Sequence, residues 1–170
     1  MEHLNVEIKA QSNAHDKIRE LLISKGVDFK GTDHQIDTYF KVPNGRLKLR
    51  EGKIENFLIY YSREDKEGPK ESNVTLYRTE SNSSLKEMLT KSLGILVLVD
   101  KQREIYFIDN VKFHIDTVKD LGTFIEIEAI DKEGSIGKRK LIEQCQFFLD
   151  LFKIDSNALI SVSYSDLLLK

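Results

Sequence analysis

The sequence predicts an α+β protein whose main body is an eight-stranded antiparallel β-barrel with helices packed on its outside. Strand-like segments recur along most of the chain and are joined by short turns, which makes neighbours antiparallel. Clear helical periodicity is confined to three stretches, too few for a parallel βαβ repeat. Closing such a sheet on itself removes edges that would otherwise template aggregation.

The first strand, Glu2 to Gln11, alternates polar and apolar residues. A helix follows Ser12-Asn13, either of which can cap it; it carries Ala14, Ile18, Leu21 and Leu22 on one face and stops at Gly26. Strands at Lys30 to Val42 and Arg46 to Glu51 flank the turn Pro43-Asn44-Gly45. Strands at Asn56 to Arg63 and Asn73 to Thr79 are separated by Glu64 to Ser72, a charged segment with Gly68-Pro69 that reads as a mobile loop. The second helix opens on a capping box, Ser84 to Glu87, buries a stripe of Leu85, Met88, Leu89 and Leu93, and ends at Gly94. Strands at Ile95 to Phe107, Val111 to Val118 and Thr123 to Ile130 are linked by turns at Asp109-Asn110 and Asp120-Leu121-Gly122. A third helix follows the turn around Gly134 to Gly137, with Leu141, Ile142, Cys145, Phe148, Leu149 and Phe152 at helical spacing, and a short one is expected near Ser165 to Leu169.

At 170 residues the chain reads as one domain, 1–170, large enough for a sizeable core. With 26 Lys plus Arg against 28 Asp plus Glu, a basic coat for nucleic acid or an anionic membrane is excluded as the global design. The lone Cys145 excludes an internal disulfide and a multi-cysteine zinc site, and its apolar neighbours mark it as a core thiol. The polar alternation of the first ten residues is unlike a secretory signal, and no apolar run is long enough for a membrane helix, so a cytoplasmic location is expected.

The two charge signs are not evenly scattered. In five strands the face opposite the apolar one is ionic: Asn5, Glu7 and Lys9; Arg46, Lys48 and Arg50; Lys112, His114 and Asp116; Glu126 and Glu128; Asp37 with Tyr39. Lys101 and Arg103 share a face in the sixth strand, and Arg63 shares one with Tyr61 in the fourth. A solvated sheet face more often carries Ser, Thr and Gln, whereas these faces turned inward would make a charged tunnel covered by helices outside. Eight cations (Lys9, Arg46, Lys48, Arg50, Arg63, Lys101, Arg103, Lys112) against five acids (Glu7, Asp37, Asp116, Glu126, Glu128) give that tunnel +3 inside a shell of −5. Like charges 4 Å apart repel by about 4 kcal/mol at an effective dielectric near 20, so such a tunnel calls for a polyanion and a divalent cation. All-oxygen ligation favours Mg²⁺ or Mn²⁺.

In these residues the sequence resembles the CYTH or triphosphate tunnel metalloenzyme superfamily, most closely its class IV adenylyl cyclase branch. The family's Glu-x-Glu-x-Lys strand is matched by Asn5-Val6-Glu7-Ile8-Lys9, with Asn5 in place of the first acid. Gln35 to Phe40, Gly45 to Glu51, Tyr60 to Arg63, Asp100 to Arg103 and Leu121 to Glu128 match in order over nearly the whole chain. The resemblance implies metal ligation by Glu7, Glu126 and Glu128 with Asp116 as helper, Asn5 being a weaker oxygen donor. It also implies phosphate binding by Lys9, Lys48, Arg50, Arg63, Lys101 and Arg103, to which strand parity adds Arg46 and Lys112. Lys9, Lys101 and Arg103 are the expected catalytic cations, acting on a small-molecule triphosphate, and a homodimer is implied as well. His114 reads as a hydrogen-bonded spectator before a proton carrier.

Two reactions suit this inventory. In the cyclase reading the ribose 3′-hydroxyl of ATP attacks the α-phosphorus and pyrophosphate leaves; in the triphosphatase reading water attacks inorganic triphosphate, thiamine triphosphate or a nucleotide. A non-catalytic polyphosphate or nucleotide binder is the third reading. A nucleoside pocket would separate them, and the segment Glu64 to Ser72 and the ring of Tyr39 are its sequence candidates.

Overall fold

Alternation in β1 (Glu2–Gln11) sets the architecture, because this strand pairs on both sides and closes the sheet. The computed structural model describes residues 2–170. Among them the remaining strands are β2 (Asp28–Phe40), β3 (Arg46–Glu51), β4 (Phe57–Arg63), β5 (Lys70–Arg78), β6 (Ile95–Ile108), β7 (Val111–Val118) and β8 (Gly122–Asp131). They form a closed barrel in the order β1-β5-β4-β3-β2-β6-β7-β8, antiparallel throughout. The expected eight-stranded barrel is therefore what the chain forms.

The main apolar core lies outside the barrel wall rather than within it. Val6, Ile8 and Ala10 of β1, Phe113 and Ile115 of β7, and Ile125, Ile127 and Ala129 of β8 pack under α1 (His15–Ser24) and α3 (Lys138–Leu151). The helices contribute Ile18, Leu22, Leu141, Cys145, Phe148 and Leu149, all buried at the helical spacing of the sequence. Phe113 meets Phe148 edge-on with ring centroids 4.7 Å apart, and Phe152 at 5.8 Å. Cys145 is a core residue, its Sγ donating to the Val6 carbonyl at 3.1 Å while burial pushes the thiol up to about 12.

Three local expectations are corrected. Ser84 precedes α2 (Leu85–Leu93) but makes no side-chain cap bond, and α2 buries none of its residues; Met88 is 63% exposed. A helix with so short a stripe and so few neighbours rides on the barrel instead of sealing it. The expected loop Glu64 to Ser72 ends early, because β5 begins at Lys70 and pairs with β1 from Glu7↔Lys70 onward, burying Lys70 and Ser72. The first helix lacks a side-chain cap as well: it starts after Ala14, whose amide is held by Ser12 Oγ at 3.1 Å. The C-terminal helix does form, as α4 (Tyr164–Leu168), with a complete capping box between Ser163 and Asp166.

Truncating Phe113 to Ala removes a fully buried ring from between the barrel and α3, so Phe113→Ala is expected to lower unfolding stability by about 3–5 kcal/mol in urea titrations.

Candidate functional site

The inward parity of the strands places the ionic face in the lumen. Asn5, Glu7, Lys9, Lys48, Arg50, Arg63, Lys101, Arg103, Lys112, His114, Glu126 and Glu128 line one cavity. Asp37 and Asp116 are buried in the wall behind it, at 1% and 0% exposure. Arg46 is displaced from the set: its guanidinium pairs with Asp65 at 3.2 Å and with Asp166 of α4 at 2.7 Å, away from the cavity lining.

Buried charges need partners, and the wall supplies them in two hubs. Asp37 accepts from Arg50 Nε (2.8 Å) and Nη2 (2.9 Å) and from Lys101 Nζ (2.7 Å), with Lys48 Nζ at 3.2 Å. Burial would raise this carboxyl, but Arg50 first, then Lys101 and Lys48, hold it well below its usual range. Asp116 likewise receives Arg103 through Nε (2.7 Å) and Nη2 (2.6 Å), and its Oδ2 accepts from the Tyr164 hydroxyl at 2.7 Å. Arg103 also reaches Glu126 at 3.1 Å, and Lys9 Nζ lies 4.1 Å from the centroid of the Tyr164 ring. Burial lowers Lys101 well below the usual ammonium range in spite of Asp37, with Arg103, Arg50 and Lys48 adding to the effect.

The carboxylates expected to share a metal are spread over these pairings. Glu7 pairs with Arg63, Asp116 and Glu126 with Arg103, and Glu128 accepts from Asn5 Nδ2. Among the described residues no three carboxylate, imidazole or thiol groups form a ready-made cluster. The donors around Glu128 nonetheless suit a hard cation. Glu7 and Glu128 face each other across β1 and β8, burial and the neighbouring Glu126 push Glu128 up although Lys112 opposes them, and Asn5 Oδ1 is a buried acceptor without a protein partner.

A second feature is visible only in the register. Ser72 of β5 stands opposite Asn5 on one side and opposite Arg63 on the other. All three carry buried polar atoms that the protein leaves unpaired: Asn5 Oδ1, Ser72 Oγ, and Nε and Nη2 of Arg63. Unmet donors and an unmet acceptor on one ring of the lumen fit an anion and a cation bound side by side.

Two sets of lining residues escaped the sequence reading. Phe57 and Ile59 of β4 with Val74 and Leu76 of β5 make an apolar wall beside Tyr61, the residue already expected on the inward face with Arg63. β4 is apolar on both faces, with Leu58 and Tyr60 between them, so its parity carries no sign. Glu55 also lines the lumen, from the loop between β3 and β4 where no strand alternation exists to reveal it. With Glu55 inside the lumen and Arg46 outside it, the expected +3 of the tunnel becomes +1.

Fold and site together define a β-barrel with a buried, mixed-charge lumen suited to a polyanion. Residues 3–160 match the sequence profile of the CYTH domain, and the chain belongs to that family. A Methanocaldococcus jannaschii protein provisionally named an adenylate cyclase (MJ0240) is 27% identical over 178 residues, covering 96% of this chain and 98% of that one. The PH1012 protein of Pyrococcus horikoshii shares the fold at TM-score 0.78 and 22% identity, over 96% and 98% of the two chains. HpAC1 of Hippeastrum, provisionally named an adenylyl cyclase and described as having a dominant triphosphatase activity, matches at TM-score 0.61 and 13% identity, over 98% and 94%.

His114 is buried with neither ring nitrogen paired by a hydrogen bond, its Nδ1 lying 3.5 Å from Glu126. Burial first, then Arg103 and Lys112, lower it to about 3. A neutral buried histidine favours folding fully above the unfolded value of 6.5, and this contribution drains away as pH falls from there toward about 3. In EDTA, His114→Gln is expected to flatten the urea-stability profile between roughly pH 6.5 and 4.5 by about 1 kcal/mol per pH unit.

Proposed function

We propose that this protein is a metal-dependent enzyme acting on a nucleoside triphosphate inside the barrel, and that it converts ATP to cyclic AMP and pyrophosphate. The observation that carries this reading is the two-sided lumen, in which ionic residues of β1, β3, β6, β7 and β8 with Arg63 at the end of β4 face an apolar stretch of β4 and β5. An inorganic triphosphate has no use for the wall of Phe57, Ile59, Tyr61, Val74 and Leu76, whereas a nucleoside does.

Within this reading Lys48, Arg50, Arg63 and Lys112 bind phosphate oxygens. The free donors of Arg63 take up an anion without first giving up a partner. Asp37 fixes Arg50, Lys48 and Lys101 at distances of 2.7–3.2 Å, so these cations are oriented before substrate enters. Lys9, Lys101 and Arg103 stabilise charge developing on the α-phosphoryl group and on leaving pyrophosphate, with Asp116 and Tyr164 steadying Arg103. The apolar wall holds the nucleoside and excludes water from the reacting phosphorus, which favours the 3′-hydroxyl as nucleophile. Glu7, Glu126 and Glu128 with Asn5 would hold Mg²⁺ or Mn²⁺, and such an ion neutralises phosphate oxygens and lowers the pKa of an attacking hydroxyl.

Hydrolysis is the second reading, supported by the dominant triphosphatase activity described for the Hippeastrum protein of the same fold. Incubation with ATP, inorganic triphosphate or thiamine triphosphate, each with Mg²⁺ or Mn²⁺, is expected to yield cyclic AMP and pyrophosphate from ATP. Phosphate as the sole product would replace cyclisation by hydrolysis, and binding without turnover would leave a polyphosphate or nucleotide binder. Glu128→Gln and Lys101→Ala are each expected to cut kcat by about a hundredfold or more. Ile59→Ala is expected to raise the KM for ATP several-fold while leaving the affinity for inorganic triphosphate within about twofold, roughly the effect of a few buried methylenes.

A further inference from the structure

Among the described residues Glu55 is the one acid in the lumen delivered by a loop, and several contacts fix its place. Pairing of β3 with β2 stops at Ile36↔Glu51, while β2 runs on to Asp28 beside β6. The segment 52–56 fills the wall beyond the end of β3. Asp33, fully buried, clamps it: Oδ1 accepts the amides of Lys53 (2.7 Å) and Ile54 (3.1 Å), and Oδ2 that of Glu55 (3.0 Å). Asn56 ties the turn to Gly52, its Nδ2 donating to the Gly52 carbonyl at 2.8 Å and its Oδ1 accepting the Gly52 amide at 3.3 Å. A side chain at Gly52 would run into the Asp33 carboxylate, so glycine is required for this close approach.

The carboxylate held this way gathers donors from separate parts of the wall. Glu55 Oε2 accepts from Arg50 Nη1 at 3.0 Å and Gln35 Nε2 at 3.1 Å, and Oε1 accepts from Lys112 Nζ. Arg50 lies on β3 and Lys112 on β7, two strands that have β2 and β6 between them in the barrel. A guanidinium, an ammonium and an amide converging on one oxyanion would serve a terminal phosphoryl group equally well. Glu55 already fills that place, and it is 8% exposed and ion-paired on both oxygens.

We propose that Glu55 is the stop of the phosphate chain: its carboxylate already fills the anion position between Arg50 and Lys112 and so keeps out a phosphoryl group beyond the three of the triphosphate proposed above. This inference rests on the polyphosphate reading of the tunnel. Arg50 and Lys112 then serve as the boundary of the site, sharing their charge between Glu55 and the terminal phosphoryl group. A fourth phosphoryl group would have to displace Glu55 from both cations or lie against its negative charge.

Calorimetric titration with inorganic pyrophosphate, triphosphate and tetraphosphate in EDTA, where turnover is suppressed, tests this on the intact chain. The wild-type chain should bind tetraphosphate no more than about twofold tighter than triphosphate, whereas an open-ended basic tunnel would gain about tenfold from the added charge. Glu55→Gln keeps the shape but not the charge, and because its amide nitrogen cannot accept, it keeps the hydrogen bonds of only one of the two oxygens; it should tighten tetraphosphate about tenfold and change pyrophosphate by less than about twofold. A wild type that prefers tetraphosphate by tenfold overturns the stop without recourse to any variant. A gain spread equally over the three ligands, or no gain for tetraphosphate, overturns it too while leaving the triphosphate tunnel standing. Failure of both proteins to bind any of the three overturns the tunnel reading and the stop together.

Discussion

Each charge sealed inside the barrel must meet an opposite charge or a hydrogen-bond partner, and this constraint organises the structure. Removing one member of a buried pair costs on the order of 3–5 kcal/mol because the other is left uncompensated. Asp37 answers the constraint for Arg50, Lys101 and Lys48, and Asp116 for Arg103. The acids of the wall are thereby as necessary to the cations as any substrate. The same pairing leaves those cations oriented toward the lumen, which is what electrostatic preorganisation requires.

Closure of the sheet is what makes the pairing possible. β1 bonds β5 on one edge and β8 on the other, so Asn5, Glu7 and Lys9 face partners from both sides. The outward residues of the same strand, Val6, Ile8 and Ala10, anchor α1 and α3. One alternating strand therefore supplies both the floor of the external core and a rib of the charged lumen. That inversion explains how a small barrel keeps an ionic interior: most of its hydrophobic stabilisation is gathered outside the wall.

The ionic wall is not fully satisfied: besides single atoms of His3, Gln35 and Thr38 and the ring of His114, unpaired atoms gather on the ring where polyanion and cation are expected. Arg63, Ser72 and Asn5 hold unpaired atoms within one register of β4, β5 and β1. Asn5 replaces an acid of the family motif, so this ring carries less negative charge than the motif would give it. Glu128 beside it is raised by burial, which favours its neutral form as well. Glu55 has the opposite character, a carboxylate fully engaged by cations, and the two acids mark regions of the lumen with different chemistry.

Strand parity alone identified most of the barrel and its ionic face, because a period of two forces Glu7 and Lys9, or Lys48 and Arg50, onto the same side whatever the rest of the chain does. The three amphipathic helices were legible for a similar reason, although periodicity could not tell that the stripe of α2 stays exposed. Three things lay beyond that reach. The apolar wall of β4 and β5 was hidden because β4 is apolar on both faces, and only pairing decides which face turns inward. Arg46 obeyed the parity yet left the lumen for Asp65 and Asp166, partners far away in sequence. Glu55 sits in a loop with no period to read, and its place in the tunnel was decided by Asp33, a buried acid on another strand whose amide contacts exist only once the chain has folded.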